Sequence, residues 1–224
     1  MIGKEILDYD SKAELTENKF TEITVDRTSI EDTKSYWNRI FDVEKEWIFE
    51  EELWEKMLYC EESEFEFSDV VDEKTKRVIE SFDNVHWETL DDEGRLKLIM
   101  QLANCIGESL GIKKLPEIEL VELEEECFGY YSERGNYIAI NTSYWDNPME
   151  VVDTIAHEMR HAYQRYRADL CENAQDELYK FNYEHYISPE RDVNGKYVNF
   201  FDYYLQYIEV EARAYAKEFT REVA

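Results

Sequence analysis

His157, Glu158 and His161 stand in the stretch TIAHEMRHAYQ, residues 154–164, and two of the chain's four histidines fall inside it. On a helix, residues i and i+4 lie one above the other on one face. Both imidazoles can then reach a single Zn²⁺ at roughly 2.0–2.1 Å. Glu158 is rotated from His157 by about a third of a turn. It is badly placed as a third ligand but well placed to reach a water on the metal. A metal acidifies such a water, and a neighbouring carboxylate takes its proton. Val152, Ile155, Ala156, Met159 and Tyr163 follow helical spacing and form the stripe that would seat this helix on a core, with the two histidines flanking it.

A catalytic zinc site takes three protein ligands and leaves a fourth position open. A histidine six residues after His161 would mark the metzincin class, but position 167 is Arg, which excludes it. His86 and His185 remain as nitrogen donors, and a later carboxylate is the other source. Glu211 is the pointed candidate. It falls inside an apolar stripe of Tyr204, Ile208, Ala212, Tyr215 and Phe219, where a carboxylate is costly unless paired or metal-bound. Glu209 points nearly the opposite way and reads as the solvent residue. Ala212, Ala214 and Ala216 would let this helix approach the motif helix closely. The competing reading is that Glu211 pairs with an arginine such as Arg160 or Arg213.

These residues need elements to position them. Asn147, Pro148 and Glu150 predict the start of the motif helix, with a cap, a proline at the first turn and an acid three past the cap. Upstream, PEIELVEL reads as a strand, and CFGYYS–ERGN–YIAINTS as a two-stranded hairpin. YIAINTS by itself reads as an ordinary sheet strand, and sequence does not show which strand is the edge. DDEGRLKLIMQLANCIGESLGI predicts a helix through Leu96, Ile99, Met100, Ala103, Ile106 and Leu110, stopping at Gly111. VVDEKTKRVIESF reads as a short helix, EESEFEF as strand or loop, residues 29–60 as helical, and FTEITV as a short strand. Asn199 is expected to cap one final helix, FFDYYLQYIEVEARAYAKEF.

HEMRH followed by EVEARAYA resembles the gluzincin type of zinc metallopeptidase, in which a glutamate on a following helix is the third ligand. The order NYIAIN, TIAHEMRH, then ExEAxxYA is similar to the ImmA/IrrE-type and related minimal zincins, over about residues 94–220. The resemblance implies an α+β, zincin-like fold: a small, mainly antiparallel sheet packed on the HExxH helix. It implies Zn²⁺ held by His157, His161 and Glu211, with Glu158 as general base in peptide-bond hydrolysis. Residues 1–90 are then an acidic, mainly helical N-terminal region and 91–224 the metallopeptidase domain. In minimal zincins an edge strand lines the cleft and pairs with an extended peptide, so the resemblance offers YIAINTS that role as an equal alternative to an ordinary sheet strand. His185, Tyr204 or Tyr207 are candidates to stabilise the oxyanion.

Composition narrows the partners. The chain has 224 residues, 25 Lys plus Arg against 53 Asp plus Glu, and a net charge of −28. Such a chain repels nucleic-acid phosphates and anionic membranes and favours basic peptides or proteins. Cys60, Cys105, Cys127 and Cys171 form no CxxC pair, so free thiols and a cytoplasmic location are expected. No signal peptide or membrane span is legible. The alternative function is an acidic protein-binding or DNA-mimic protein built around a non-catalytic zinc site. Glu158 argues against it, because a purely structural site has no use for a base.

Overall fold

Acidic and amide side chains start most of the helices. In the computed structural model, which describes residues 50–124 and 127–221, helix α1 spans Glu50–Met57. Helix α2, Glu73–Glu80, is capped by Asp72, which accepts from the Thr75 amide at 2.7 Å. Helix α3, Asn84–Thr89, is capped by Asp83, and α4, Asp92–Leu110, by Asp91. Each satisfies an amide that the helix itself leaves without a partner. Helix α4 ends at Gly111, whose φ of 68° suits a residue without Cβ.

Three strands follow: β1 Glu117–Val121, β2 Gly129–Ser132 and β3 Tyr137–Asn141. Their order is β1-β3-β2, with β1 parallel and β2 antiparallel to β3. The sheet is therefore mixed, where a mainly antiparallel one was expected. The hairpin β2–β3 forms as read, but β3 is the central strand, so YIAINTS offers no free edge. Its residues Ile138, Ala139, Ile140 and Asn141 are buried. Asn141 ties down the loop between β1 and β2, donating to the Cys127 carbonyl at 2.7 Å and accepting from the Leu123 amide at 3.2 Å.

Helix α5, Pro148–Leu170, begins at Asn147 as expected, with Asn147 accepting from the Met149 amide. Helix α6 spans Ala174–Glu184, α7 Phe200–Tyr204 and α8 Tyr207–Arg221. Val151, Val152, Ile155, Ala156 and Met159 of α5 share one core with Leu98, Ile99, Leu102 and Ile106 of α4, Ile138 and Ile140 of β3, and Tyr215, Ala216 and Phe219 of α8. The molecule is α+β, and α5 is its axis. No helix among the described residues is long and apolar enough to cross a membrane.

Several expectations are corrected here. Ile79, Phe82 and Trp87 belong to the same core as the motif helix, so no boundary falls near residue 90; the described residues all lie within the unit Trp47–Ala224. Met100 is 46% exposed, while Leu98 and Leu102 face inward. The final helix is two helices, α7 and α8, and Asn199 makes no side-chain cap. Tertiary partners take over the hydrogen bonds at the break. The Leu205 carbonyl accepts from the Cys60 amide at 3.0 Å, and the Gln206 side chain pairs with both backbone groups of Ile187. EESEFEF takes the loop alternative: a 3-10 turn over Glu62–Glu64, with Phe65 extended after it. FTEITV and the helical reading before residue 50 lie outside the described residues.

Gly129 shows how tightly β2 is drawn against the rest. A Cβ there would lie 2.7 Å from the Ala139 carbonyl oxygen and 2.7 Å from Thr154 Cγ2. A backbone oxygen cannot rotate away, so Gly129→Ala is expected to cost about 1–3 kcal/mol, as overpacking does. Urea unfolding would check it; an unchanged midpoint would contradict the close approach.

Candidate metal centre

Helix α5 places His157 and His161 one turn apart, and their Nε2 atoms are 3.0 Å from each other. The third group to meet them comes from the first turn of α8. Glu209 Oε2 lies 3.5 Å from His157 Nε2, and Glu209 Oε1 lies 3.6 Å from His161 Nε2. One donor atom from each residue falls within 4.8 Å of the other two. For ligands about 2.05 Å from a tetrahedral zinc, the ligand–ligand edges are roughly 3.3–3.4 Å. The observed 3.0, 3.5 and 3.6 Å bracket that value. The residues present fit a zinc ion.

Glu211, the ligand expected from sequence, is elsewhere. Its Oε1 accepts from Arg160 at 2.6 Å and from the Tyr179 hydroxyl at 2.8 Å, and its Oε2 accepts from Gln164 at 2.7 Å. The competing reading, a buried pair with Arg160, describes its place. Residues two apart on a helix diverge by about 200°, so with Glu209 facing the histidines Glu211 must face away. The assignment of Glu209 to solvent fails because the start of α8 has no solvent face: Ile208, Glu209, Val210, Glu211 and Ala212 are all buried. The carboxylate in this helix with an arginine opposite became the ion pair, and the one opposite two imidazoles faces them.

Charge and burial act against each other at this centre. Burial would raise the Glu209 carboxyl, but the charge on His161 and hydrogen bonds from both histidines hold it well below the usual carboxylate range. Burial likewise opposes charge on His161, yet Glu209 beside it pushes the imidazole up to about 9. Tyr186 also donates to Glu209 Oε1, at 2.8 Å. A metal needs the neutral ring, so a proton on His161 below pH 9 must leave when zinc binds. Calorimetry at neutral pH in buffers of different ionisation heat is expected to show release of about one proton per zinc, and affinity that rises with pH toward 9. Zinc binding without proton release would contradict a role for His161.

Glu158 is 7% exposed, and its carboxylate has no hydrogen-bond partner among the described residues. It faces a cleft of about 310 Å³ shared with Gly129, Tyr131, His157, His161, Tyr183, Tyr203 and Glu209. It is not one of the three converging groups, in line with its rotation from His157 along the helix. A wider cleft of about 730 Å³ adjoins through Gly129, His157, Glu158, Tyr203 and Glu209, and adds Phe128, Glu150, Asp153 and Phe200.

The remaining sequence candidates separate. His86 is exposed on α3. His185 packs between Trp54 and Phe181 and lines neither cleft. Tyr207 bonds to Gln175, and Tyr204 lies under Arg213 on the wider cleft. Tyr183, Tyr186 and Tyr203 line the first cleft and were not singled out among the 17 tyrosines. No family model, curated protein or solved structure matches this chain.

Proposed function

We propose that the chain is a zinc-dependent peptidase of the gluzincin type, with a zincin-like packing of sheet on motif helix. His157, His161 and Glu209 would hold the ion. The observation that carries the reading is one cleft containing three donors at zinc spacing and, beside them, a nearly buried carboxylate with no hydrogen-bond partner among the described residues. Zn²⁺ in such a site supplies a Lewis acid for the substrate carbonyl and lowers the pKa of water. Glu158 would take a proton from a water in the cleft and pass it to the leaving amine. Tyr186 holds Glu209 in place. Strand β2 pairs with β3 alone among the described residues, and Gly129, Tyr130 and Tyr131 line the cleft. Its outer edge can receive an extended peptide by backbone pairing, the role that sequence had offered to YIAINTS.

The test is a mixed peptide library incubated with the zinc-loaded protein and read by mass spectrometry. Cleavage that stops on chelation and returns with zinc is the expected result. Zinc bound at stoichiometry with every peptide intact would favour the second reading, an acidic binding protein for a basic partner, which the charge of −28 supports.

A further inference from the structure

Gln164 lies one turn beyond His161 on α5, is fully buried, and touches the cluster without belonging to it. Its Nε2 sits 3.0 Å from the Ile208 carbonyl oxygen and 2.7 Å from Glu211 Oε2. Both neighbours can only accept. The amide nitrogen must therefore be at that end, because the flipped amide would press its oxygen against a carbonyl and a carboxylate. The other end, Oε1, then faces His161 Nδ1 at 2.8 Å. An amide oxygen only accepts, so Nδ1 carries a hydrogen. In the neutral ring this leaves the lone pair on Nε2, the atom that faces His157 and Glu209.

We propose that Gln164 is a positioning residue that sets the tautomer and ring orientation of His161, and that Glu211, Arg160 and Tyr179 exist to fix Gln164. The chain of bonds is continuous. Glu211 spends Oε1 on Arg160 and Tyr179 and Oε2 on Gln164. Arg160 is in turn held over the rings of Phe67, Tyr163 and Tyr215, with its guanidinium carbon 4.5–5.1 Å from their centroids. Arg160 and Tyr179 thus hold the Glu211 carboxylate whose other oxygen accepts from the Gln164 amide. The Tyr183 hydroxyl, donating to the His161 carbonyl at 2.9 Å, secures the backbone at the same residue. The proposal rests on the zinc reading for its purpose, but the tautomer is a property of the protein without metal.

The experiment labels the histidine rings with ¹⁵N and reads long-range proton–nitrogen correlations, which separate the two neutral tautomers from the imidazolium. In the zinc-free wild type, the pH is raised until the imidazolium signal of His161 is gone, so that the neutral ring is the one read. The expected spectrum has the His161 proton on Nδ1. In Gln164→Met, which keeps the shape and removes the acceptor, a mixture of tautomers is expected. Zinc affinity by chelator competition should fall roughly 10- to 100-fold, the usual effect of losing an outer partner of a ligand. A wild-type proton on Nε2, or an unmixed Nδ1 tautomer in Gln164→Met, overturns the proposal. Should Gln164→Met fail to fold, the wild-type spectrum still decides the first of these. A wild type with the Nδ1 proton but no affinity for zinc would refute the metal reading and leave the orientation of His161 standing.

Discussion

Glu158→Gln is expected to keep its zinc and its melting temperature while losing about a hundred- to ten-thousand-fold in the rate of peptide hydrolysis. Stability should hold because the carboxylate makes no hydrogen bond among the described residues, so the nearly isosteric amide removes none. Metal content should hold because Glu158 is not one of the three converging groups. The loss falls on the chemistry alone: an amide neither takes a proton from water nor returns it to an amine. Zinc content, thermal melting and cleavage of the same peptide mixture, measured side by side, check all three parts. Cleavage at the wild-type rate would remove Glu158 from the mechanism.

The second large effect separates two glutamates that stand two residues apart. Glu209→Gln should weaken zinc binding by more than the roughly 10- to 100-fold that losing an outer partner costs, with a modest effect on the zinc-free fold. Its buried partner His161 can shed its proton once the carboxylate charge is gone. Glu211→Gln should act mainly on stability, and lower zinc affinity by no more than the roughly 10- to 100-fold expected when Gln164 loses its hold on His161. Arg160 cannot deprotonate, and breaking a buried pair from one side costs about 3–5 kcal/mol. The new amide nitrogen must also face Gln164 Nε2 or Arg160, donor against donor. Urea denaturation and chelator competition on both variants read the two effects. A Glu211→Gln protein of unchanged stability, or a Glu209→Gln protein with unchanged zinc affinity, would refute the division of roles.

How much of this was legible in the sequence depended on whether the cause was local. The start of α5 at Asn147 and Pro148 and the stop of α4 at Gly111 were readable, because caps and left-handed turns are decided within a few residues. The β2–β3 hairpin was equally local, whereas the parallel pairing of β1 with β3 was not. The pair His157 and His161 was legible from helical periodicity. The phase of α8 was misread for two reasons. Leu205 and Gln206 find partners at Cys60 and Ile187, far along the chain, which breaks the helix and detaches Tyr204 from the stripe. The start of α8 is also buried on all sides, so an apolar stripe has no polar face to contrast with it. Glu211 was rightly singled out as a carboxylate that needed a partner; that the partner is Arg160 was one of two open readings. Gln164 carried no signal, since a buried glutamine acquires meaning only from the acceptors that tertiary packing brings to it.

Whether His157, His161 and Glu209 form one metal site is decided by crystals of the zinc-loaded protein measured on both sides of the zinc absorption edge. A single strong anomalous peak is expected at roughly 2.0–2.2 Å from His157 Nε2, His161 Nε2 and a Glu209 oxygen. A peak bound by Glu211, or one that touches the histidines through Nδ1 or leaves Glu209 beyond bonding distance, would contradict it.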